Sequence, residues 1–219
     1  MSKQDPALGQ KVHEHLLAIG VETPTVASAL GRPAADKIDD LTSLFTQIWS
    51  VVGLDLTDDS LQETPLRMAK MYVNEIYYGL NYDLFPKCTT VDNKMEYREM
   101  IVEKNVTVQS NCEHHGVVIS GKAHVSYIPN QKVLGLSKIN RIVEFFSKRP
   151  QIQERLTEQI YHALSCILET ADVAVIVEAE HYCVKSRGIK DTGSSTVTSR
   201  VGGAFLQPAT RQEFLAHIK

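Results

Sequence analysis

The sequence predicts an α+β fold: a helical N-terminal region, then an antiparallel four-stranded sheet with two helices on one face. Three observations carry this. Over the first 95 or so residues, apolar side chains recur at helical spacing. From about Met100 the period drops to two. Two further helical stretches then precede two more strand-like runs, so the order is strand-strand-helix-helix-strand-strand.

The elements follow in order. A Pro/Ala/Gly-rich link, "ETPTVASALGRPAADK", follows the N-terminal segment, and residues 1–35 read as a peripheral arm, suited to packing on a neighbouring subunit. "DDLTSLFTQIWSVVGL" spaces Leu41, Leu44, Phe45, Ile48 and Val51/Val52 as a helix does. "ETPLRMAKMYVNEIYYGL" is a second helix, with Pro65 near its first turn and Gly79 near its end. The helical region is set at 1–95 and a sheet-bearing domain at 96–219. In that domain "MIVEKNVTVQSN" and "GVVISGKAHVSYIP" are paired strands. "SKINRIVEFFSKR" is a helix opened by Ser137. The next helix starts near Pro150, with Ile152, Leu156, Ile160, Ala163 and Ile167 on one face. "DVAVIVEAEHYCV" and "SSTVTSRVGGAF" are the last two strands, and "TRQEFLAHI" closes the chain. A four-stranded sheet leaves edges and a face to cover, and oligomerisation is one way to cover them.

Composition narrows the function classes. Of 219 residues, 23 are Lys or Arg and 26 Asp or Glu, so the net charge of -3 gives no global bias towards nucleic acid or membrane. The N-terminus has no signal-like apolar core and no run is long enough to span a membrane, so the cytosol is expected. Without an export signal, Cys88, Cys112, Cys166 and Cys183 are expected as free thiols or metal ligands. Cys166 suits core packing and Cys88 a plain thiol, while His162 and His217 read as solvated helix positions.

"NCEHHG" sets Cys112, Glu113, His114 and His115 side by side. Cys112 and His115, joined by Cys183 from a later strand, offer two thiolates and an imidazole, a set that suits zinc. Three ligands and an open position would polarise water. Neighbouring strand residues face opposite ways, so His114 and His115 do not easily bind one ion. C-x-x-H spacing favours His115 as ligand and leaves His114 as a proton carrier. His181 lies two residues before Cys183 and on a strand would share its face. It is either a fourth ligand, closing a structural site, or an acid/base beside the metal.

"GLSKINR" makes Ser137 a candidate N-cap, with Lys138 and Arg141 on one face of the first turns. An anion there would offset the unfavourable placing of cations at a helix N-terminus. Lys185, Arg187 and Lys190 add positive charge after the metal strand, and Arg67 and Lys70 add more from "TPLRMAK". Glu154, early in its helix, can accept from two parallel donors such as guanine N1–H and the 2-amino group, and Gln153 can add an amide contact.

In order and spacing, "ETPLRMAKMYVNEIYYGL", "CEHH", "GLSKINRIVEFF", "RPQIQERLTEQI" and "HYCVKSRGI" resemble GTP cyclohydrolase I over roughly residues 60–215. The resemblance implies the tunnelling fold, in which sheets of several subunits join into a barrel, and a homodecamer of two pentamers. It implies conversion of GTP and water to 7,8-dihydroneopterin triphosphate and formate, the entry to folate-type pterin synthesis. It implies Zn2+ on Cys112, His115 and Cys183, and His114 and His181 as acid/base groups. Gln153 and Glu154 match the guanine-reading pair. Ser137, Lys138, Arg141 and Arg187 match triphosphate contacts, with Arg67 and Lys70 from a neighbouring subunit. Gly116 departs from the family, which often has a large apolar residue there. Glu113 has no assigned role beyond an orienting hydrogen bond. Two competing readings are a same-fold enzyme of different reaction and a zinc-stabilised nucleotide-binding module without turnover.

Overall fold

The computed structural model describes residues 3–219. Helix α1 (Pro6–Ala18) starts with Pro6 in its first turn and Asp5 as cap, whose Oδ1 accepts from Leu8 N–H at 3.0 Å. A short α2 (Ala27–Leu30) and the long α3 (Ala34–Val52) follow, the latter stopped by Gly53 at φ +93°. Helix α3 begins five residues earlier than the acidic pair Asp39–Asp40 suggests. The second predicted helix is broken. Helix α4 (Thr64–Met71) passes into a π turn over Tyr72–Ile76 and a 3-10 turn over Tyr78–Leu80. Gly79 sits so close to the end of the helix Leu136–Ser147 that a Cβ would lie 2.1 Å from Phe145 O. Only glycine permits that approach.

A small ribbon pairs β1 (Thr90–Asp92) with β4 (Lys132–Leu134). The main sheet contains β2 (Ile101–Cys112) and β3 (Val118–Tyr127), antiparallel, then β6 (Val173–His181) and β7 (Thr196–Val201). These are the four antiparallel strands expected. A fifth, β5 (Pro150–Gln151), runs parallel to the end of β2 and makes the order β5-β2-β3-β6-β7. Two residues are too short a run to show a period, so no sequence pattern marks it.

Helices α5 (Leu136–Ser147) and α6 (Gln153–Leu168) cover one face. Ile139, Ile142, Val143 and Phe146 on α5, with Leu156, Ile160, Ala163 and Leu164 on α6, are fully buried. Each large side chain so buried contributes about 1.5–3 kcal/mol. On the other face, α8 (Pro208–Ile218) and the turn Gly203–Leu206 cover the Ile101–Tyr127 end through Phe205 and Phe214. The Cys112 end of that face carries exposed Gln109, Ser120 and Glu178.

The predicted peripheral position of residues 1–35 does not hold for α1. Val12 and Leu16 are fully buried in the main core. Just beyond α1, Glu22 pairs with the fully buried Arg149 at 3.0 Å and accepts from Tyr82 Oη at 2.5 Å. The Arg149 guanidinium lies 4.7–5.2 Å from the Phe146, Phe145 and Tyr82 ring centres. His162 is also not solvated: its side chain is 19% exposed, beside Glu158 and the Tyr161 ring. Among the described residues no helix is long and apolar enough to cross a membrane.

Candidate metal centre and base site

Strand β2 ends at the buried Cys112, and the chain turns through Glu113–His115. Gly116 N–H donates to Cys112 O and Cys112 N–H to Val117 O, each at 2.8 Å. Asn111 Nδ2 donates to Gly116 O at 3.2 Å. Gly116 has φ +66°, a conformation that favours glycine. A Cβ there would meet nothing within 4 Å, so Gly116 borders open space. It is this turn, rather than strand alternation, that separates the two histidines.

Strand β6 brings the other half. Ile119 pairs with His181, so the end of β6 lies beside the start of β3 and the metal turn. There the strand stops, and Tyr182–Lys185 form a single helical turn, α7. The prediction that Cys183 lies on the strand, sharing a face with His181, is therefore wrong: the backbone coils between them. Cys112, His115 and Cys183 nevertheless converge, each offering a ligand atom within 4.8 Å of the others. A tetrahedral ion with bonds of ~2.3 Å to sulfur sets its ligands ~3.8 Å apart, so a contraction of about 1 Å at most closes the site. The donor set, two thiols and an imidazole, fits zinc. Burial and the adjacent Cys112 push the Cys183 thiol above its ordinary range, a bias that a bound dication reverses.

His114 and His181 stand outside this trio. His114 Nδ1 is 3.7 Å from Cys112 Sγ, and its side chain is 64% exposed. His181 Nε2 is 2.7 Å from Gln153 Oε1. Gln153 Nε2 in turn donates to Val177 O at 3.0 Å, Thr196 O at 2.9 Å and Thr198 Oγ1 at 3.2 Å. With the amide nitrogen facing backbone carbonyls, Gln153 Oε1 must be the acceptor and His181 Nε2 the donor. Neutral His181 then carries its free lone pair on Nδ1. Burial lowers the His181 pKa, and the Glu154 carboxylate partly offsets this.

Gln153 is thus not where the sequence puts it. Its side chain is 1% exposed and committed to the sheet and His181, so it is not offered to a base. Glu154, next along the first turn of α6, is exposed and available. Arg187 reaches the metal turn, with Nη1 2.7 Å from His115 Nε2. Lys185 is held by Glu180 at 2.6 Å.

The remaining basic residues lie elsewhere in the chain. Gly135, not Ser137, occupies the N-cap of α5, and no side chain caps it. Ser137, Lys138 and Arg141 sit at the start of α5, which follows β4 at the Ile101–Tyr127 end of the sheet. Its far end leads to Pro150, beside Asn111. About 15 Å of helix separates Ser137 from Ser147. On α4, Arg67 pairs with Glu63 at 2.8 Å, and Lys70 is exposed.

The GTP cyclohydrolase I family matches residues 41–219. The chain belongs to that family. GTP cyclohydrolase 1 of Aeromonas salmonicida (strain A449) is 55% identical over 210 residues, 95% of each chain. The protein of that name from Actinobacillus pleuropneumoniae serotype 5b is 53% identical over 213 residues, 97% of each. That of Shewanella amazonensis is 54% identical over 207 residues, 94% of this chain and 95% of its own. A solved archaeosine synthase QueF-like chain aligns at 20% identity with a TM-score of 0.38, too slight a likeness to bear on the fold.

Two contacts at the site have no sequence signal. Gln153 stands out in the sequence as a base contact, and nothing in its spacing points to His181. Arg155, one residue past Glu154, donates to Glu113 at 2.5 Å, and nothing in its spacing marks it out.

Proposed function

We propose that this chain is a zinc-dependent GTP cyclohydrolase I, converting GTP and water to 7,8-dihydroneopterin triphosphate and formate. The observation that carries the reading is the convergence of Cys112, His115 and Cys183 beside a histidine that is not one of the trio. Cys112, His115 and Cys183 would hold zinc, which when bound would supply the Lewis acidity that activates water towards the guanine C8. Glu154 holds the opposite edge of the base through N1–H and the 2-amino group. His181 exchanges a proton at Nδ1, because Gln153 Oε1 occupies its Nε2–H. His114, beside Cys112, serves as the second proton carrier. Arg187 supplies positive charge near the metal turn for the triphosphate.

Ser137, Lys138 and Arg141 complete the triphosphate cradle, and Arg67 and Lys70 extend it. Their place at the far end of α5 favours a second copy bringing them to the zinc of its neighbour. An oligomer of decamer type also accounts for α3, where Leu44, Ile48 and Val51 are 52%, 50% and 88% exposed. The division into a helical region 1–95 and a catalytic domain 96–219 is part of this reading. Thiolate ligands suit a reducing compartment, here the cytoplasm. The test is incubation with GTP, following formate release and pterin fluorescence with and without a chelator. Activity lost to the chelator and restored by zinc is expected; turnover indifferent to metal, or none with zinc present, would reject the reading.

A further inference from the structure

The metal turn is fastened at three points, two on β5 just before α6 and one on the first turn of α6 itself. Cys112 pairs with Gln151 in the parallel ladder, and Glu113 N–H donates to Gln151 O at 3.0 Å. Arg155 Nη1 donates to Glu113 Oε2 at 2.5 Å. The two side chains are 16% and 27% exposed, so the pair is shielded more than an ordinary surface ion pair. Glu113 lies inside the turn that carries His114 and His115. Arg155 directly follows Glu154.

We propose that Glu113 and Arg155 are positioning residues: their ion pair fixes the distance between the metal turn and the helix end that holds the base. This rests on the function proposed above. Guanine is rigid, so C8 and the N1–C2 edge are a set distance apart. One protein element acts at the first and another grips the second, and the two must keep that distance. A displacement of about 1 Å at such a site costs on the order of 10²-fold in rate. The rival role for Glu113 runs through His114, whose Nε2 is 3.9 Å from Glu113 Oε1. That separation exceeds a hydrogen bond.

The test compares Glu113→Gln, Arg155→Gln, the double variant and Arg155→Lys, all as zinc-loaded protein. It reads kcat, KM for GTP, zinc per chain and hydrogen exchange over residues 111–117. Each Gln variant is expected to lose about 10–100-fold in kcat with KM little changed. Zinc should stay stoichiometric, and exchange in the turn should quicken equally in both. The double variant should be no worse than the worse single, because one interaction is removed twice. Arg155→Lys should recover part of the loss. Normal kcat in Arg155→Gln, additive losses in the double, or zinc loss from either single would overturn the proposal. A wild-type protein without GTP turnover would reject the functional reading instead, and the exchange comparison would still decide whether the pair holds the turn.

Discussion

Replacing Gln153 by leucine separates the two roles open to this residue. Leucine fills much of the same buried space but removes four hydrogen bonds, one to His181 at 2.7 Å and three into the sheet. Val177 and Thr198 face each other in the β6–β7 ladder, and Thr198 Oγ1 keeps Thr157 Oγ1 at 2.6 Å. The group most clearly stranded is the His181 Nε2–H. A fully buried donor left unpaired costs about 1–3 kcal/mol, and His181 is only half-buried, so the expected loss of stability is at the low end of that range. The larger effect is on rate. His181 becomes free to rotate and to change tautomer, and a positioned acid/base group is worth about 10²–10⁴-fold. Steady-state formate release should therefore show kcat down by at least about 10²-fold with KM for GTP and zinc content little changed. Unchanged kcat with a raised KM would instead make Gln153 a contact of the base.

Further predictions concern stability. Glu22→Ala leaves Arg149 buried without its carboxylate and should cost about 3–5 kcal/mol in denaturant unfolding, whereas a loss below that of a surface pair would contradict the buried network. Gly116→Ala meets open space but keeps a positive φ, so about 1 kcal/mol of stability should be lost with no change in zinc content, and a larger loss would mean that the turn is packed more tightly than it looks. Burial holds His124, His162 and His181 below their ordinary pKa of 6.5. As pH falls through that value the unfolded chain takes up these protons first, so stability drops. The metal-free protein should melt lower at about pH 5.5 than at about pH 7.5, and the reverse order would contradict these shifts.

Much of the fold is legible because burial imposes a period. Ile139, Ile142, Val143 and Phe146 repeat at helical spacing because one face of α5 meets the sheet. Alternation along Val106, Val108 and Ser110 marks β2 in the same way. Helix α1 was not legible as part of the core. Only Gly9, Val12 and Leu16 of its 13 residues are buried, too few to show a clear apolar stripe. In the site, Cys112 and His115 are readable from one short spacing. The coil between His181 and Cys183 is not, because four residues are too few to distinguish a strand end from a helical turn. Gln153 and the Glu113–Arg155 pair depend on contacts 28 and 42 residues apart in sequence, which local pattern does not carry.

In the proposed mechanism Cys112, His115 and Cys183 alone hold zinc, with His181 beside it as a proton carrier. Zinc analysis of purified His181→Ala tests this most directly. About one zinc per chain is expected, as in the unaltered protein, in a preparation that no longer releases formate from GTP. Loss of the metal from that variant would make His181 a fourth ligand and contradict the claim.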